Sequence, residues 1–303
     1  MTVSSAPGAG GTAGVIAEDA PAKLNLYLHV LGRRPDGYHE LDSLVAFADV
    51  GDTIDVRPAD RLSLTIDGPF ASSLASEPAS GNLVTRAARL LAESVGCSDP
   101  AVAITLTKRL PVASGIGGGS ADAAATLRAL ARLWGLGADH PSLGPLAARL
   151  GADVPVCLTG RSAYFGGIGD IVDPAPPLPP CAVVLINPGI PLSTPAVFKA
   201  RSGPFSTAAR LSGDAAPADA AGFASLLASR HNDLTAPALS LVPEIGTVLE
   251  ALSSAPGCLL ARLSGSGATC FALFGDEAAA RAAAAKIASA QPDWWVVPGK
   301  LSA

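Results

Sequence analysis

A chain of 303 residues with 49% hydrophobic and 16% charged residues carries enough apolar side chain for a large core, which excludes a disordered protein and favours two domains. The net charge of −5 excludes the basic surface that nonspecific binding of nucleic acid or acidic membranes requires, but it permits one nucleotide in a local pocket. The five scattered cysteines form no Cys-x-x-Cys pair, and the small, polar N-terminus resembles no signal peptide. We therefore expect a cytoplasmic protein with a disordered tail at residues 1–17.

The first half of the chain alternates predicted strands and helices. In 22–31, Leu24 and Leu26 alternate with Lys23 and Asn25, which is typical of a strand with one apolar face. Further extended segments are predicted at 43–48, 53–57, 62–67, 101–107 and 156–165. Helices are predicted at 82–96, 123–134 and 141–150, the last with a proline near its start.

A cluster of prolines at 174–180 separates this half from a second one. Strands follow at 182–186, 259–263, 269–274 and 295–298, and helices at 224–229, 242–253 and 277–290. Residues 201–222 are rich in small residues, aspartate and proline, which predicts a mobile loop. Residues 264–267 form a predicted turn of small residues between two strands. Because no regular βαβ rhythm is present, we predict an α+β fold. It has two domains, 18–173 and 181–303, each with a mostly antiparallel sheet layered with helices.

The stretch 111–122 is a glycine-dense turn between a predicted strand and a predicted helix. Glycine lets the backbone approach an anion closely, and the first amides of a helix favour phosphate. No Gly-Lys-Ser/Thr closes the stretch, and Ser120 stands where the last glycine of a dinucleotide motif would lie. The pattern therefore favours a phosphate loop that uses backbone amides and the Ser114 or Ser120 hydroxyl. The alternative is a flexible turn capped by Ser120 and Asp122.

Other candidate residues each leave two interpretations open. Lys23 and Asn25 lie either on the solvated face of a sheet or in a substrate cleft. Asp153 is either a turn aspartate before a proline or a general base. The pair Tyr38 and His39 either closes the edge of the core or stacks on a nucleobase.

Several sequence blocks occur in order between about residue 20 and residue 301. They are Pro21-Ala22-Lys23-Leu24-Asn25-Leu26, Arg34-Pro35-Asp36-Gly37-Tyr38-His39, the glycine-rich 111–121, Leu150-Gly151-Ala152-Asp153-Val154-Pro155 and Leu263-Ser264-Gly265-Ser266-Gly267-Ala268. Together they resemble the GHMP superfamily of small-molecule kinases. Within it they are most similar to the members whose acceptor is a cytidine diphosphate derivative of methylerythritol, a precursor in the non-mevalonate isoprenoid pathway.

The resemblance implies an ATP- and magnesium-dependent phosphorylation of the acceptor's 2-hydroxyl. It implies a catalytic pair, Lys23 and Asp153, with Asp153 accepting the hydroxyl proton and Lys23 stabilising the developing charge. Substrate contacts are implied for Asn25, Tyr38, His39, Thr194 and Phe198, with the cytosine between Tyr38 and Phe198 and His39 on its hydrogen-bonding edge.

The residues implied to wrap the ATP phosphates are Pro111, Val112, Ala113, Ser114, Gly115, Ile116, Gly117, Gly118, Gly119, Ser120 and Ala121. Ala121 replaces a second serine that is common in the family, which leaves Ser120 as the side-chain candidate near magnesium. The protein is expected to be a monomer or weak homodimer that binds a small-molecule substrate but neither nucleic acid nor membrane. The alternatives are another GHMP kinase, acting on homoserine, mevalonate or a sugar, and a catalytically silent nucleotide-binding protein on this fold.

Overall fold

The structure is a computed structural model that describes residues 14–75, 78, 80–211 and 217–302. It divides into two compact units. Unit 1 comprises the described residues up to Ala20 together with Gly51–Leu110 and Gly119–Thr159. Unit 2 comprises Pro21–Val50, Pro111–Gly118 and the described residues from Gly160 onward.

The secondary structure mixes long strands with helices of six to sixteen residues. The strands are β1 (Ile16–Arg33), β2 (His39–Pro58), β3 (Ser63–Asp67), β4 (Val102–Thr107), β5 (Ala163–Gly167), β6 (Ile171–Pro174), β7 (Ala182–Asn187), β8 (Cys258–Leu263), β9 (Cys270–Phe274) and β10 (Trp295–Lys300). The helices are α1 (Leu83–Ser94), α2 (Gly118–Leu133), α3 (Leu143–Leu150), α4 (Val154–Thr159), α5 (Thr194–Ala200), α6 (Ala220–Ala228), α7 (Thr235–Leu241), α8 (Glu244–Ser253) and α9 (Glu277–Ala290), and a 3₁₀ helix spans Ala71–Leu74. Within the described ranges, every helix is too short or too polar to cross a membrane.

Unit 1 is built on β4, which pairs antiparallel with the second part of β2 and parallel with β3. The alternating side chains of β4 bury Val102, Ile104 and Leu106 on one face, as a half-buried strand requires. Helix α1 begins at the cap Asn82, whose side chain accepts a hydrogen bond from the Val84 amide. Helix α1 packs against α3, and α3 packs against α4.

Unit 2 contains an antiparallel sheet in the order β10-β7-β9-β8. Every residue of β7 and β9 is buried, because α8 and α9 pack on this sheet. In the same unit, the first part of β2 pairs antiparallel with β5, and β5 pairs with β6. Mostly antiparallel pairing with segregated helices confirms the predicted α+β class.

The structure corrects three of the predicted elements. The segment 156–165 is not one extended stretch, because α4 occupies Val154–Thr159 and β5 begins only at Ala163. Pro155 lies in the first turn of α4, where its fixed φ suits a helix and its missing N–H costs nothing. The predicted strands 43–48 and 53–57 are parts of one strand, β2. Helices α5 and α7 were not predicted.

Two segments that were expected to lack order are partly paired. Residues 1–13 of the predicted tail lie outside the described residues, but Ile16 and Ala17 belong to β1. In the predicted mobile loop, residues 212–216 lie outside the described residues, and α6 begins at Ala220. Upstream of that gap, the Ser206 amide donates to the Val30 carbonyl at 2.9 Å. This pairing holds the first part of the loop against β1.

Candidate active site

The predicted phosphate loop runs from Pro111 into the first turn of α2, which begins at Gly118. Gly115 and Gly117 have φ angles of +78° and +66°, and Ala113 also lies in the left-handed region at 51°. Such turns leave backbone amides pointing outward instead of pairing along a strand. The first amides of α2 have no acceptor within the helix, so an anion is favoured there.

The phosphate loop packs backbone to backbone against the small-residue turn 264–267. A Cβ on Gly115 would stand 2.5 Å from the Ser264 carbonyl oxygen, so only glycine fits there. The Ser264 hydroxyl donates to the Gly115 carbonyl at 3.1 Å, and just after the turn the Thr269 amide donates to the Ser114 carbonyl at 3.1 Å. The turn 264–267 therefore supports the conformation of the phosphate loop.

Of the two loop serines, only Ser120 keeps its hydroxyl for a ligand in this conformation. The Ser114 side chain is buried and donates within the loop to the Pro111 carbonyl at 2.6 Å. Ser120 is half-buried in the first turn of α2. Ala121 is 1% exposed, so a serine hydroxyl at this position would need a buried partner.

Lys23 lies on β1 beside the phosphate loop and is 4% exposed. Its amide donates to the Ile116 carbonyl at 2.9 Å. A Cβ on Gly117 would lie 3.3 Å from the Lys23 Cβ and 3.4 Å from its Cε, so the missing side chain leaves room for the lysine stem. The Lys23 Nζ is 5.3 Å from the centre of the Phe165 ring. The structure thus brings the predicted lysine and the predicted phosphate loop together.

Asn25 lies two residues further along β1 and is 1% exposed. Its amide donates to the Ser264 hydroxyl at 3.2 Å, and its Nδ2 donates to the Ser43 hydroxyl at 2.8 Å. The Ser43 hydroxyl in turn donates to the Tyr27 carbonyl. Among the described residues, the buried Asn25 Oδ1 has no hydrogen-bond partner. A buried amide oxygen without a donor suits a ligand that brings a hydroxyl.

His39 and Phe198 form a stacked pair with ring centroids 4.9 Å apart and an interplanar angle of 24°. Partial burial, with added repulsion from Arg33 and Arg201, lowers the pKa of His39 from its usual 6.5. His39 is therefore neutral at neutral pH, with one ring nitrogen as donor and one as acceptor. Tyr38 is 61% exposed, so its ring is accessible to a ligand.

The remaining predicted residues are distributed between the two units. In unit 2, the Thr194 hydroxyl lies 2.7 Å from the Ser266 hydroxyl and links α5 to the turn 264–267. In unit 1, Asp153 directly precedes α4, and its carbonyl accepts a hydrogen bond from the Cys157 amide at 3.2 Å. Ser43 and Ser264 were not predicted as site residues; no sequence motif marks Ser43, whereas Ser264 belongs to the Ser-Gly-Ser-Gly turn.

Comparison with known proteins decides the family. The GHMP kinases N terminal domain matches residues 82–161, and the GHMP kinases C terminal domain matches residues 215–293. The 4-diphosphocytidyl-2-C-methyl-D-erythritol kinase of Paramagnetospirillum magneticum is 56% identical over 283 residues, which cover 93% of this chain and 97% of the relative. The chain belongs to the 4-diphosphocytidyl-2-C-methyl-D-erythritol kinase family of GHMP kinases. It is therefore an ATP-dependent small-molecule kinase, as the sequence resemblance predicted.

Solved structures agree with this membership of the 4-diphosphocytidyl-2-C-methyl-D-erythritol kinase family. A crystal structure of 4-(cytidine 5'-diphospho)-2C-methyl-D-erythritol kinase matches with a TM-score of 0.75 at 36% identity, covering 95% of this chain and 99% of that one. A homoserine kinase from Cytophaga hutchinsonii matches with a TM-score of 0.71 at 20% identity, covering 97% and 96%. The second likeness shows the shared two-domain fold and carries no information on the substrate.

Proposed function

We propose that this chain transfers the γ-phosphoryl group of ATP to the 2-hydroxyl of 4-diphosphocytidyl-2-C-methyl-D-erythritol, giving the 2-phosphate and ADP. The identity of 56% with a relative of that name supports the substrate class. The structural observation that carries the proposal is the stacked His39–Phe198 pair. A flat aromatic surface with a neutral imidazole suits a nucleobase, and an acceptor without a base has no use for it.

The reaction needs few protein groups. The acceptor's 2-oxygen attacks the γ-phosphorus, the bond from that phosphorus to the β,γ-bridging oxygen breaks, and ADP leaves with the bridging oxygen. We assign the hydroxyl proton to the Asp153 carboxylate. Lys23 stabilises the negative charge that develops on the transferred group, since a buried ammonium acts strongly in a site with little water. Positioning and electrostatics supply most of the catalysis in such transfers.

Asn25 is assigned to the methylerythritol part of the acceptor. Its unpaired Oδ1 accepts a hydrogen bond from a substrate hydroxyl, while Ser43 and Ser264 fix the side chain and the backbone. Because the Asn25 side chain is already held in place, little conformational entropy is lost when the substrate binds.

The cytosine is assigned to the surface formed by Phe198, Tyr38 and His39. In the proposed complex the base lies between the Phe198 and Tyr38 rings and His39 hydrogen-bonds its edge, a placement that requires the His39 ring to leave its stack on Phe198. The Thr194 hydroxyl, which lies beside Ser266, is a further contact on the same side of unit 2.

Magnesium is assigned to the nucleotide phosphates. Among the described residues, no group of three or more His, Cys, Asp or Glu side chains is arranged to hold a metal ion. We infer that the magnesium ion takes most of its ligands from the ATP phosphates and water, and that the Ser120 hydroxyl is the ligand from the protein. When bound, the ion neutralises phosphate charge.

Product analysis tests the proposal directly. Incubation of the purified chain with ATP and the cytidyl acceptor should give a new monoester signal in the phosphorus NMR spectrum, coupled to carbon 2 in a substrate labelled there with ¹³C. A phosphate on another oxygen would overturn the assignment of the 2-hydroxyl. Absence of any monoester, with ATP intact, would overturn the proposed acceptor.

Four further assignments accompany the proposed reaction: the domains, the compartment, the oligomeric state and the partner. We propose that the proline cluster divides the sequence into domains 18–173 and 181–303, although the compact units are discontinuous in sequence and group Pro21–Val50 with the described residues from Gly160 onward. The protein works in the cytoplasm as a monomer or weak homodimer, and its partner is the small-molecule substrate, without nucleic acid. Size-exclusion chromatography with light scattering tests the oligomeric state.

A further inference from the structure

Three charged side chains meet in the interior of unit 1 and take no part in the proposed reaction. The Lys108 Nζ lies 2.5 Å from the Asp52 Oδ2 and 2.7 Å from the Asp122 Oδ2. Asp52 is 1% exposed, Lys108 2% and Asp122 3%, so water screens none of these charges. We call these residues the buried triad. Burial of a lysine and two carboxylates costs desolvation free energy, so we asked which segments these residues hold together.

The buried triad holds the segment where the phosphate loop begins. The Asp52 Oδ1 accepts the amides of Arg109 and Leu110 at 2.6 and 2.8 Å, and Leu110 is the residue before Pro111. Lys108 is itself fixed, because its amide donates to the Asp67 carbonyl at 2.7 Å. The start of the loop is therefore tied to β2 through the Asp52 carboxylate.

The same triad holds the segment where the phosphate loop ends. Asp122 belongs to the first turns of α2, four residues after the helix begins at Gly118. Its Oδ2 accepts from Lys108, and its carbonyl accepts from the Thr126 hydroxyl at 2.8 Å. One ammonium thus connects the end of β4 with the beginning of α2, the two elements that the loop joins.

We propose that the buried triad of Asp52, Lys108 and Asp122 is a positioning device that fixes the two ends of the phosphate loop at the spacing which the β- and γ-phosphates of ATP require. The proposal rests on the proposed function only for the identity of the nucleotide. None of the three residues touches the phosphates in this account. They act through the backbone amides that follow Leu110 and precede Asp122.

Two matched variants of the buried triad each replace one aspartate by asparagine. Burial, opposed by the Lys108 charge, raises the pKa of Asp122 to about 7, so the triad carries one net negative charge only when Asp122 is ionised. Replacement of either aspartate by asparagine leaves one lysine–aspartate pair. Asp122→Asn changes the link to α2, and Asp52→Asn changes the link to β2 while an amide oxygen remains for the Arg109 and Leu110 amides. The control is Glu18→Gln, because Glu18 pairs with Arg128 and Arg132 on the same helix but far from its first turn.

The test is calorimetric titration of the full-length chain with AMP-PNP, the β,γ-imido analogue of ATP, and with AMP, which lacks both distal phosphates. For Asp122→Asn we expect the Kd for AMP-PNP to rise roughly tenfold or more, because small misplacements of a phosphate site are costly. The Kd for AMP should stay within twofold of the parent, and Glu18→Gln should change neither value.

An equal loss for AMP and AMP-PNP, or an unchanged Kd for AMP-PNP in folded Asp122→Asn, would overturn the proposal. A purely structural triad would lower the unfolding temperature without changing the difference between the two nucleotides. If Asp122→Asn does not fold, Asp52→Asn gives the same comparison. Because no acceptor is present, these results do not depend on whether the cytidyl compound is the substrate.

Discussion

Gly115 and Ser264 touch through their backbones: a Cβ on Gly115 would stand 2.5 Å from the Ser264 carbonyl oxygen, and the Ser264 hydroxyl donates to the Gly115 carbonyl. These residues are 149 positions apart in the chain, yet their contact shapes the phosphate loop. Gly115 also has a φ of +78°, which side-chain-bearing residues rarely adopt.

Gly115→Ala should therefore displace the loop and raise the KM for ATP by roughly tenfold or more. The matched control is Gly135→Ala, because Gly135 has a φ of +67° but no atom within 4 Å of its added Cβ. Both variants carry the backbone strain, about 1–2 kcal/mol. Steady-state kinetics should show the KM effect for Gly115→Ala alone, and equal KM values for the two variants would refute the packing argument.

Asp153→Asn should lower kcat by ~10²–10⁴, the range lost when a general base is removed, while the Kd for AMP-PNP stays near the parent value. The asparagine keeps the size and the hydrogen-bonding shape of the aspartate but cannot accept the proton. Rapid-quench measurement of the chemical step gives the comparison. Full turnover in this variant would remove Asp153 from the role of base.

The base-binding surface predicts a selective effect on the acceptor. Phe198→Leu should raise the KM for the cytidyl acceptor by about threefold to tenfold, since an aromatic stack contributes ~0.5–1.5 kcal/mol. Tyr38→Ala should do the same if Tyr38 covers the other face of the cytosine. The KM for ATP serves as the internal control. Equal weakening of both substrates would argue against a cytosine site at this surface.

His39 predicts how acceptor binding depends on pH. Burial and the charges of Arg33 and Arg201 lower its pKa below 6.5, so the neutral form persists to lower pH than in the unfolded chain. Protonation is therefore disfavoured in the folded protein. The free energy of unfolding decreases through His39 as the pH falls below 6.5, because the unfolded chain binds the proton more tightly. The KM for the acceptor should be constant above pH 7 and rise as the pH falls through the His39 pKa. His39→Gln should abolish that rise, and a parallel rise in this variant would assign it to another group.

Local signals in the sequence were sufficient for part of the fold. Helix α9 was predicted with the bounds that the structure shows, because Asp276 caps it and alanines follow. The glycine-rich loop before α2 was also visible, since strand, turn and helix are consecutive. By contrast, the part of α4 from Val156 to Thr159 was predicted as extended, because β-branched residues favour a strand out of context.

The supports of the site could not be predicted in the same way. Asn25 was a candidate from its strand alone, but its partners Ser43 and Ser264 lie 18 and 239 residues away. Likewise, no sequence pattern indicates that Lys108 lies between Asp52 and Asp122, which only the folded structure shows. Side-chain networks of this kind depend on tertiary contacts that no local period or motif records.

Measurement of ADP release with three acceptors at equal concentration shows whether this kinase selects a cytidyl acceptor. We expect kcat/KM for 4-diphosphocytidyl-2-C-methyl-D-erythritol to exceed that for homoserine and mevalonate by at least about a thousandfold, because a site built for a base and several hydroxyls leaves polar groups unpaired when homoserine or mevalonate binds. Comparable values for homoserine or mevalonate, or ADP release that does not depend on the cytidyl acceptor, would contradict it.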